Sequence, residues 1–357
     1  MKKIGNKLSP LCFLSDNRLV CYRLGNLVII EHDKIIGSYP LFSSGKEKII
    51  GLSNALYRLF RLGIRAAEAI DEKKIVLSVG NTLYEYDFIE KKLSDGYLIG
   101  DDSRPLIFRT VTGLTSIDDG IYFGGYFGTR NKKPVSVYKR VETDSWKIVF
   151  TFPQGTIDHV HTIVSDVFRD CLWIFTGDLG EASAIWKVTE NFKKVERVIC
   201  NDQKYRGCVA FALPEGLLYA TDAPFSDNFI YLLNPETMQL REIMPIGGSC
   251  IYGSQWQDKF VFSSTVEGDG RDVSRIEFLF GRKLGAGIKD MYVRLYLGNL
   301  REGFKEIYKE KKDYMPFYTF QYGAFKFPYG VNNGNILYIQ PLATNKNDLS
   351  LMGYPSV

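Results

Sequence analysis

The chain has 357 residues, 45% of them hydrophobic, with 45 basic and 41 acidic side chains and a formal net charge of +4. A chain of this length buries a large core, and its even charge argues against a dedicated nucleic-acid binder, which carries a strong basic face. No run reaches the roughly 20 apolar residues that span a bilayer, so no membrane span is expected.

The first ten residues are basic and lack the apolar segment of a signal peptide. Residues 11–40 read as a compact β unit, with His32 beside Glu31 and Asp33. The one helical candidate is 53–63, short and without a cap signal. From residue 66 onward, short apolar or alternating runs are divided by Gly, Asp, Asn and Pro turns, which is the all-β pattern. After a unit at 66–99 the runs repeat as four strands at a time: 112–119, 120–126, 135–141 and 146–152; then 159–166, 171–178, 183–188 and 195–200; then 208–214, 216–222, 229–234 and 240–245. Two further units cover 249–308 and 321–354, the last one strand short. A spacing of roughly 45 residues is the period of propeller blades, which must pack radially to cover their sheet faces. The expected fold is all-β: a single β-propeller over 1–357, with six or seven four-stranded blades, seven favoured. Six result if the N-terminal strands complete the C-terminal blade, and pairing the chain ends would close the ring without free edges. A polar, Gly-rich insertion at 267–290, with Arg271, Arg275, Arg282 and Lys283, reads first as a tolerated loop and second as a lid.

Two of the three histidines, His159 and His161, start the strand at 159–166, behind Asp158. Alternate strand residues share a face, so on an innermost strand both imidazoles project toward the propeller axis. They fit three roles: polar or acid–base groups of a pocket, ligands of a divalent metal, or structural hydrogen-bonding groups. No cofactor is expected, with a divalent metal at His159/His161 as the alternative. Arg65, Arg109 and Arg206 stand at or just before inner strands, with Glu68 after Arg65. Tyr126, Tyr205, Tyr252 and Tyr322 are candidate partners for a sugar ring. Asp166 reads as a turn residue. Asp178 and Asp222, each ending the second strand of a unit, read first as repeat-structural and second as pocket carboxylates. The six cysteines (Cys12, Cys21, Cys171, Cys200, Cys208 and Cys250) form no CxxC and mostly sit in apolar runs. They read as buried free thiols of a reducing compartment, hence a cytoplasmic location. No phosphate-binding loop, nucleophile elbow or zinc-finger spacing is present.

The stretches Gly124-Gly125-Tyr126-Phe127-Gly128, Thr151-Phe152-Pro153-Gln154-Gly155, His159-Val160-His161 with Asp166, and Leu172-Trp173-Ile174-Phe175-Thr176-Gly177-Asp178 resemble a bacterial family of sialidase-like (BNR-type) β-propellers. Thr221-Asp222, Arg61-Leu62-Gly63-Ile64 and Phe320-Gln321-Tyr322-Gly323 extend the likeness more loosely. The family's Asp-box turn is reduced here to Trp146. The resemblance implies the propeller fold, and glycan chemistry by analogy. Sialidase chemistry uses an arginine cluster for the substrate carboxylate and a tyrosine nucleophile. The His-x-His pair also resembles that of oligogalacturonate-lyase propellers, which hold a metal with that pair, a Gln and a further His. Here Gln154 stands at a different spacing and no separate catalytic histidine remains, so Asp158, Asp166 or Asp178 would complete a metal shell.

The leading functional expectation is a carbohydrate-processing enzyme acting at a glycosidic bond, with its site at the propeller axis, in surface-polysaccharide metabolism. Asp158, His159, His161 and Tyr126 would be catalytic. Arg65, Arg109, Tyr205, Arg206, Tyr252 and Tyr322 would bind an oligosaccharide or polysaccharide. The alternatives are a non-catalytic module binding a glycan or protein, and a metal-dependent lyase-like enzyme. Carboxylates and histidines converging within hydrogen-bonding reach would favour an enzyme; a wall of aromatics without such a cluster would favour a binder.

Overall fold

The apolar runs fold into seven sheets around one axis, each wound from an inner strand outward and antiparallel throughout except where Val331–Asn332 pairs parallel with Gln255 and Trp256. The computed structural model describes residues 1–42, 45–100, 103–127, 132–268, 270 and 273–355, so Gly128 and Arg271 lie outside the described residues. Blade 1 holds Ser9–Phe13, Leu19–Arg23, Asn26–Glu31 and Lys34–Pro40. Blade 2 begins with Ala66–Ala69 and blade 3 with Arg109–Val111. Blade 4 holds His159–Asp166, Cys171–Gly177, Ala184–Thr189 and Lys194–Cys200, close to the expected bounds. Blades 5, 6 and 7 begin with Gly207–Leu213, Cys250–Trp256 and Ala324–Lys326.

The ring closes as the short last unit implied. Lys2–Asn6 pairs antiparallel with Ser350–Pro355 and supplies the outermost strand of blade 7. This closure does not reduce the count to six, because 9–40 forms a complete blade of its own.

Two expectations are corrected. The segment 112–119 is a loop, and Arg109–Val111 takes the inner position. Side chains satisfy the loop backbone in place of a ladder: Asp119 accepts from Gly113 N at 3.0 Å, and Asp170 accepts from Thr115 N at 2.6 Å and Ser116 N at 3.1 Å. The helix Asn54–Leu59 is capped, since Ser53 Oγ accepts from Leu56 N at 3.4 Å. Three further short helices are Gly45–Ile50, Arg275–Phe280 and Phe317–Phe320. The second of these forms inside the 267–290 insertion, which joins Lys259–Ser264 to Tyr292–Asn299 in blade 6.

Apolar clusters fill the spaces between blades. Tyr122, Val137, Phe152, Ile163, Leu172, Ile174 and Trp186 pack between blades 3 and 4. Gly124 allows the inner strand of blade 4 to come close, because a Cβ there would lie 2.3 Å from Val160 Cβ. Asp166 is a turn residue as expected: it accepts from Phe168 N at 3.0 Å, Arg169 N at 3.1 Å and Trp173 Nε1 at 2.8 Å. All six cysteines are free, and all but the half-buried Cys200 are buried. Among the described residues no helix is long and apolar enough to cross a membrane.

The channel is nearly closed. Leu106, Ile107, Phe327 and Tyr329 enter it beside Arg109, His161, Cys208 and Tyr252, leaving a cavity of about 20 Å³ with room for about one water. A ligand larger than water therefore does not fit inside this part of the channel.

Candidate functional site at the channel mouth

In a propeller the inner strands run the same way, so their first residues gather at one mouth. The residues that end each second strand, running antiparallel, return to the same rim. This places Arg65, His159, Arg206 and Tyr322, which start or precede inner strands, beside Tyr126, Asp178 and Asp222, which end or follow second strands.

Four of these groups meet. His159 Nε2 and His161 Nε2 are 3.0 Å apart, and both lie near Asp178 Oδ1, at 3.3 and 3.2 Å. Arg206 Nη2 bridges two carboxylates, at 3.1 Å from Asp178 Oδ1 and 3.2 Å from Asp222 Oδ2. Cys208 Sγ donates to Asp222 Oδ2 at 3.4 Å. The register pairs His159 with Gly177, which carries Asp178 to the imidazoles. Gly177 is needed there, because a Cβ would lie 2.2 Å from His161 Cε1. Asp158 holds the loop from behind: its Oδ2 accepts from Asp178 N at 2.6 Å. Gln203 Nε2 donates to the Asp178 carbonyl at 2.8 Å.

The electrostatics follow from burial and these contacts. Burial opposes ionisation of Asp178, yet the hydrogen bonds from His159 and His161 and the charge of Arg206 outweigh it. They hold this carboxyl well below the usual carboxylate range. Its side chain is 38% exposed, the most open member of the cluster. Burial pulls His161 down, partly offset by Asp178, and favours neutral imidazole. Burial disfavours the charge on Arg206, but Asp222 and Asp178 more than compensate. Nδ1 of both histidines and Nε of Arg206 are buried without a partner.

A cationic, tyrosine-rich wall adjoins the cluster. The Tyr126 ring centroid is 4.3 Å from that of His159, and Arg65 Cζ lies 4.9 Å from the Tyr126 centroid. Burial raises the Tyr126 hydroxyl. Lys326 Nζ lies 5.8 Å from the Tyr252 centroid, and burial together with Arg65 pushes this ammonium down to about 8. Burial raises the hydroxyls of Tyr322 and Tyr252 as well. Burial and Asp222 push Glu267 up to about 7, and Thr265 Oγ1 donates to it at 2.6 Å.

Other expected residues lie elsewhere. Arg109 is deeper in the channel, with Nη2 3.4 Å from Thr162 Oγ1. Beside it burial pushes Glu68 up to about 7. Tyr205 packs on the core between blades 4 and 5 and is not brought to the cluster, because the turn Gln203–Tyr205 lays its ring on that apolar seam. His32 is exposed in a hairpin turn of blade 1, and Gln154 is exposed after the outer strand of blade 3. Glu267 and Lys326 were not singled out from sequence; each stands alone in its segment, and no spacing ties either to the histidines.

No protein-family profile matches the sequence. No curated protein matches it either. Solved structures do. A chain of the mitotic checkpoint complex aligns at TM-score 0.53 and 10% identity, over 100% of this chain and 92% of that one. An oligogalacturonate lyase in complex with manganese aligns at TM-score 0.50 and 12% identity, over 89% and 84%. The dihydro-heme d1 dehydrogenase NirN aligns at TM-score 0.50 and 11% identity, over 98% of this chain and 61% of that one. At these identities the likeness is one of fold, a seven-bladed β-propeller.

Proposed function

We propose that the protein is a carbohydrate-processing enzyme that takes an acidic oligosaccharide or polysaccharide end into the channel mouth and acts at a glycosidic bond. The observation that carries this reading is the meeting of His159, His161 and Asp178 within 3.0–3.3 Å beside a cationic, tyrosine-rich wall. A binding surface needs aromatics and hydrogen-bonding groups but no buried titratable cluster. Arg65 offers a planar fork for a sugar carboxylate, and Tyr126 and Tyr322 offer ring faces. Asp178 is held ionised while Glu267 stays protonated to about pH 7, and two carboxyls pushed apart in this way are suited to different roles, a proton donor and a fixed negative charge. Glu267 would give its proton to the leaving-group oxygen as the glycosidic bond breaks. His161, kept neutral by burial, would take the proton of the incoming water or sugar hydroxyl, and ionised Asp178 would stabilise the imidazolium that forms.

One observation favours a second reading, the metal-dependent lyase. Adjacent donors around an octahedral cation bound at about 2.1–2.3 Å stand about 3.0–3.3 Å apart. Those are the separations among His159 Nε2, His161 Nε2 and Asp178 Oδ1. The fold shared with an oligogalacturonate lyase in complex with manganese agrees with it. Against it, metal-bound imidazoles usually donate their second N–H to an acceptor, and neither Nδ1 has one here.

Thermal shift with a panel of acidic and neutral oligosaccharides, with and without Mn²⁺, tests both readings, since a ligand of the native state raises the melting temperature. An acidic glycan should stabilise the wild type and leave a folded His159→Ala/His161→Ala variant unmoved. Stabilisation of both alike would remove the cluster from the site. A glycan effect that appears with Mn²⁺ alone would favour the second reading.

A further inference from the structure

Three short helices sit together on one side of the molecule. Thr319 Oγ1 donates to the Phe278 carbonyl at 2.8 Å, the Phe278 and Tyr318 rings stack with centroids 6.2 Å apart, and Arg61 Nη2 donates to the Tyr318 carbonyl at 3.0 Å. These contacts join Asn54–Leu59, Arg275–Phe280 and Phe317–Phe320 into one cap.

The polarity of this cap is inverted. Helix Asn54–Leu59 turns Tyr57 and Arg58 inward, where Arg58 Nη2 meets Asp313 Oδ2 at 2.5 Å, while Leu56, Leu59 and Phe60 face out. Arg275–Phe280 buries no side chain and exposes Ile276, Phe278, Leu279 and Phe280. Ile276 is 75% exposed, Phe280 71% and Phe60 57%; Leu52 and Ile49 nearby are also exposed. A surface helix normally does the reverse. Exposed cations adjoin these apolar residues along the chain: Arg61 follows Phe60, and Arg275, Arg282 and Lys283 bracket Ile276–Phe280. Among the described side chains of 45–62 and 273–289, Glu277 is the one carboxylate. Helices that lie on membranes combine such apolar residues with Lys and Arg in this way.

We propose that this helical cap docks on an anionic lipid surface, with Phe60, Ile276 and Phe280 entering the headgroup–acyl boundary and Arg282 and Lys283 meeting lipid phosphates. The charge of the cap is complementary to such a surface, and each cation near it adds affinity. The docking is independent of the glycan reading of the channel mouth.

Cosedimentation of the full chain with vesicles of phosphatidylcholine alone, and of phosphatidylcholine with phosphatidylserine, tests it. The expected result is binding to the anionic vesicles and markedly weaker binding to the neutral ones. The variant Phe60→Ser/Ile276→Ser/Phe280→Ser should bind about tenfold or more weakly, from the apolar area lost, with an unchanged melting temperature because these side chains are exposed. Arg282→Glu/Lys283→Glu should weaken binding to anionic vesicles by about thirtyfold or more and leave neutral vesicles unaffected. No binding to either vesicle, or undiminished binding by the triple variant, would overturn the proposal. A wild-type dimer in light scattering that the triple variant abolishes, without vesicle binding, would assign the face to a second copy of the chain instead.

Discussion

Arg206 is the keystone of the charged cluster, and Arg206→Met tests that position directly. Methionine keeps much of the buried stem and removes the guanidinium that lies 3.1 Å from Asp178 and 3.2 Å from Asp222. The Asp222 side chain is 7% exposed, so the change strands a buried carboxylate beside the Cys208 thiol. Breaking such a pair costs about 3–5 kcal/mol. Asp178 is open enough for water to screen its share, which places the expected loss at about 3 kcal/mol. For 357 residues, an unfolding entropy of about 2.1 cal/mol/K per residue gives about 0.75 kcal/mol/K, so the melting temperature should fall by about 4 °C. Circular dichroism melts and urea titration measure this. A double-mutant cycle with Asp222→Asn should recover about 2 kcal/mol relative to the sum of the single changes. A drop below about 1 °C, or strict additivity, would show that Arg206 and Asp222 do not form a desolvated pair.

Three further outcomes are expected. Gly177→Ala should displace the His161 ring, which a Cβ would approach to 2.2 Å, at a cost of about 1–3 kcal/mol, and abolish whatever binding the cluster provides; an NMR shift of the imidazole signals without unfolding separates displacement from collapse. Glu267 is raised from 4.5 to about 7 by burial and Asp222, so the stability that its neutral form gives is complete below about pH 4.5 and lost as pH rises through about 7. Glu267→Gln should therefore gain on the wild type by roughly 3 kcal/mol between about pH 4.5 and pH 8, read by urea unfolding at several pH values; equal pH profiles would refute the shift. Removing residues 1–6 leaves Ser350–Pro355 as an unpaired outer strand and should lower the melting temperature and promote association through the open edge, whereas an unchanged melt would mean that the closure adds little.

The blades from 159 to 246 are legible because their inner and middle strands are buried on both faces and their turns are marked by Gly, Asp and Asn. The period of two puts His159 and His161 on one face, but the ladder between Val160 and Thr162 is bulged, and the sequence does not mark that bulge. The partner carboxylate was harder to see. Asp178 reads as a turn residue until the register sets Gly177 opposite His159, and a register across a hairpin is a matter of packing. The short last unit calls for a strand from the other chain end, but the bounds Lys2–Asn6 are not marked in the sequence, because an outer, largely exposed strand needs no apolar alternation. The loop at 112–119 looked like a strand because its apolar side chains, Leu114 and Ile117, do enter the core while Asp119 and Asp170 satisfy its backbone. Tyr205 misled because tyrosine suits an apolar seam as well as a pocket.

The most direct test of the account is product analysis by mass spectrometry after incubating the oligosaccharide panel with wild type and with Asp178→Asn. A product whose mass reports hydrolysis or transfer of an acidic glycan, formed by the wild type and lost in the folded variant, is the predicted result. An unsaturated product formed without uptake of water would move the site to lyase chemistry. No turnover of any glycan, or turnover that survives Asp178→Asn, would contradict the claim that the His159–His161–Asp178 cluster is a catalytic centre.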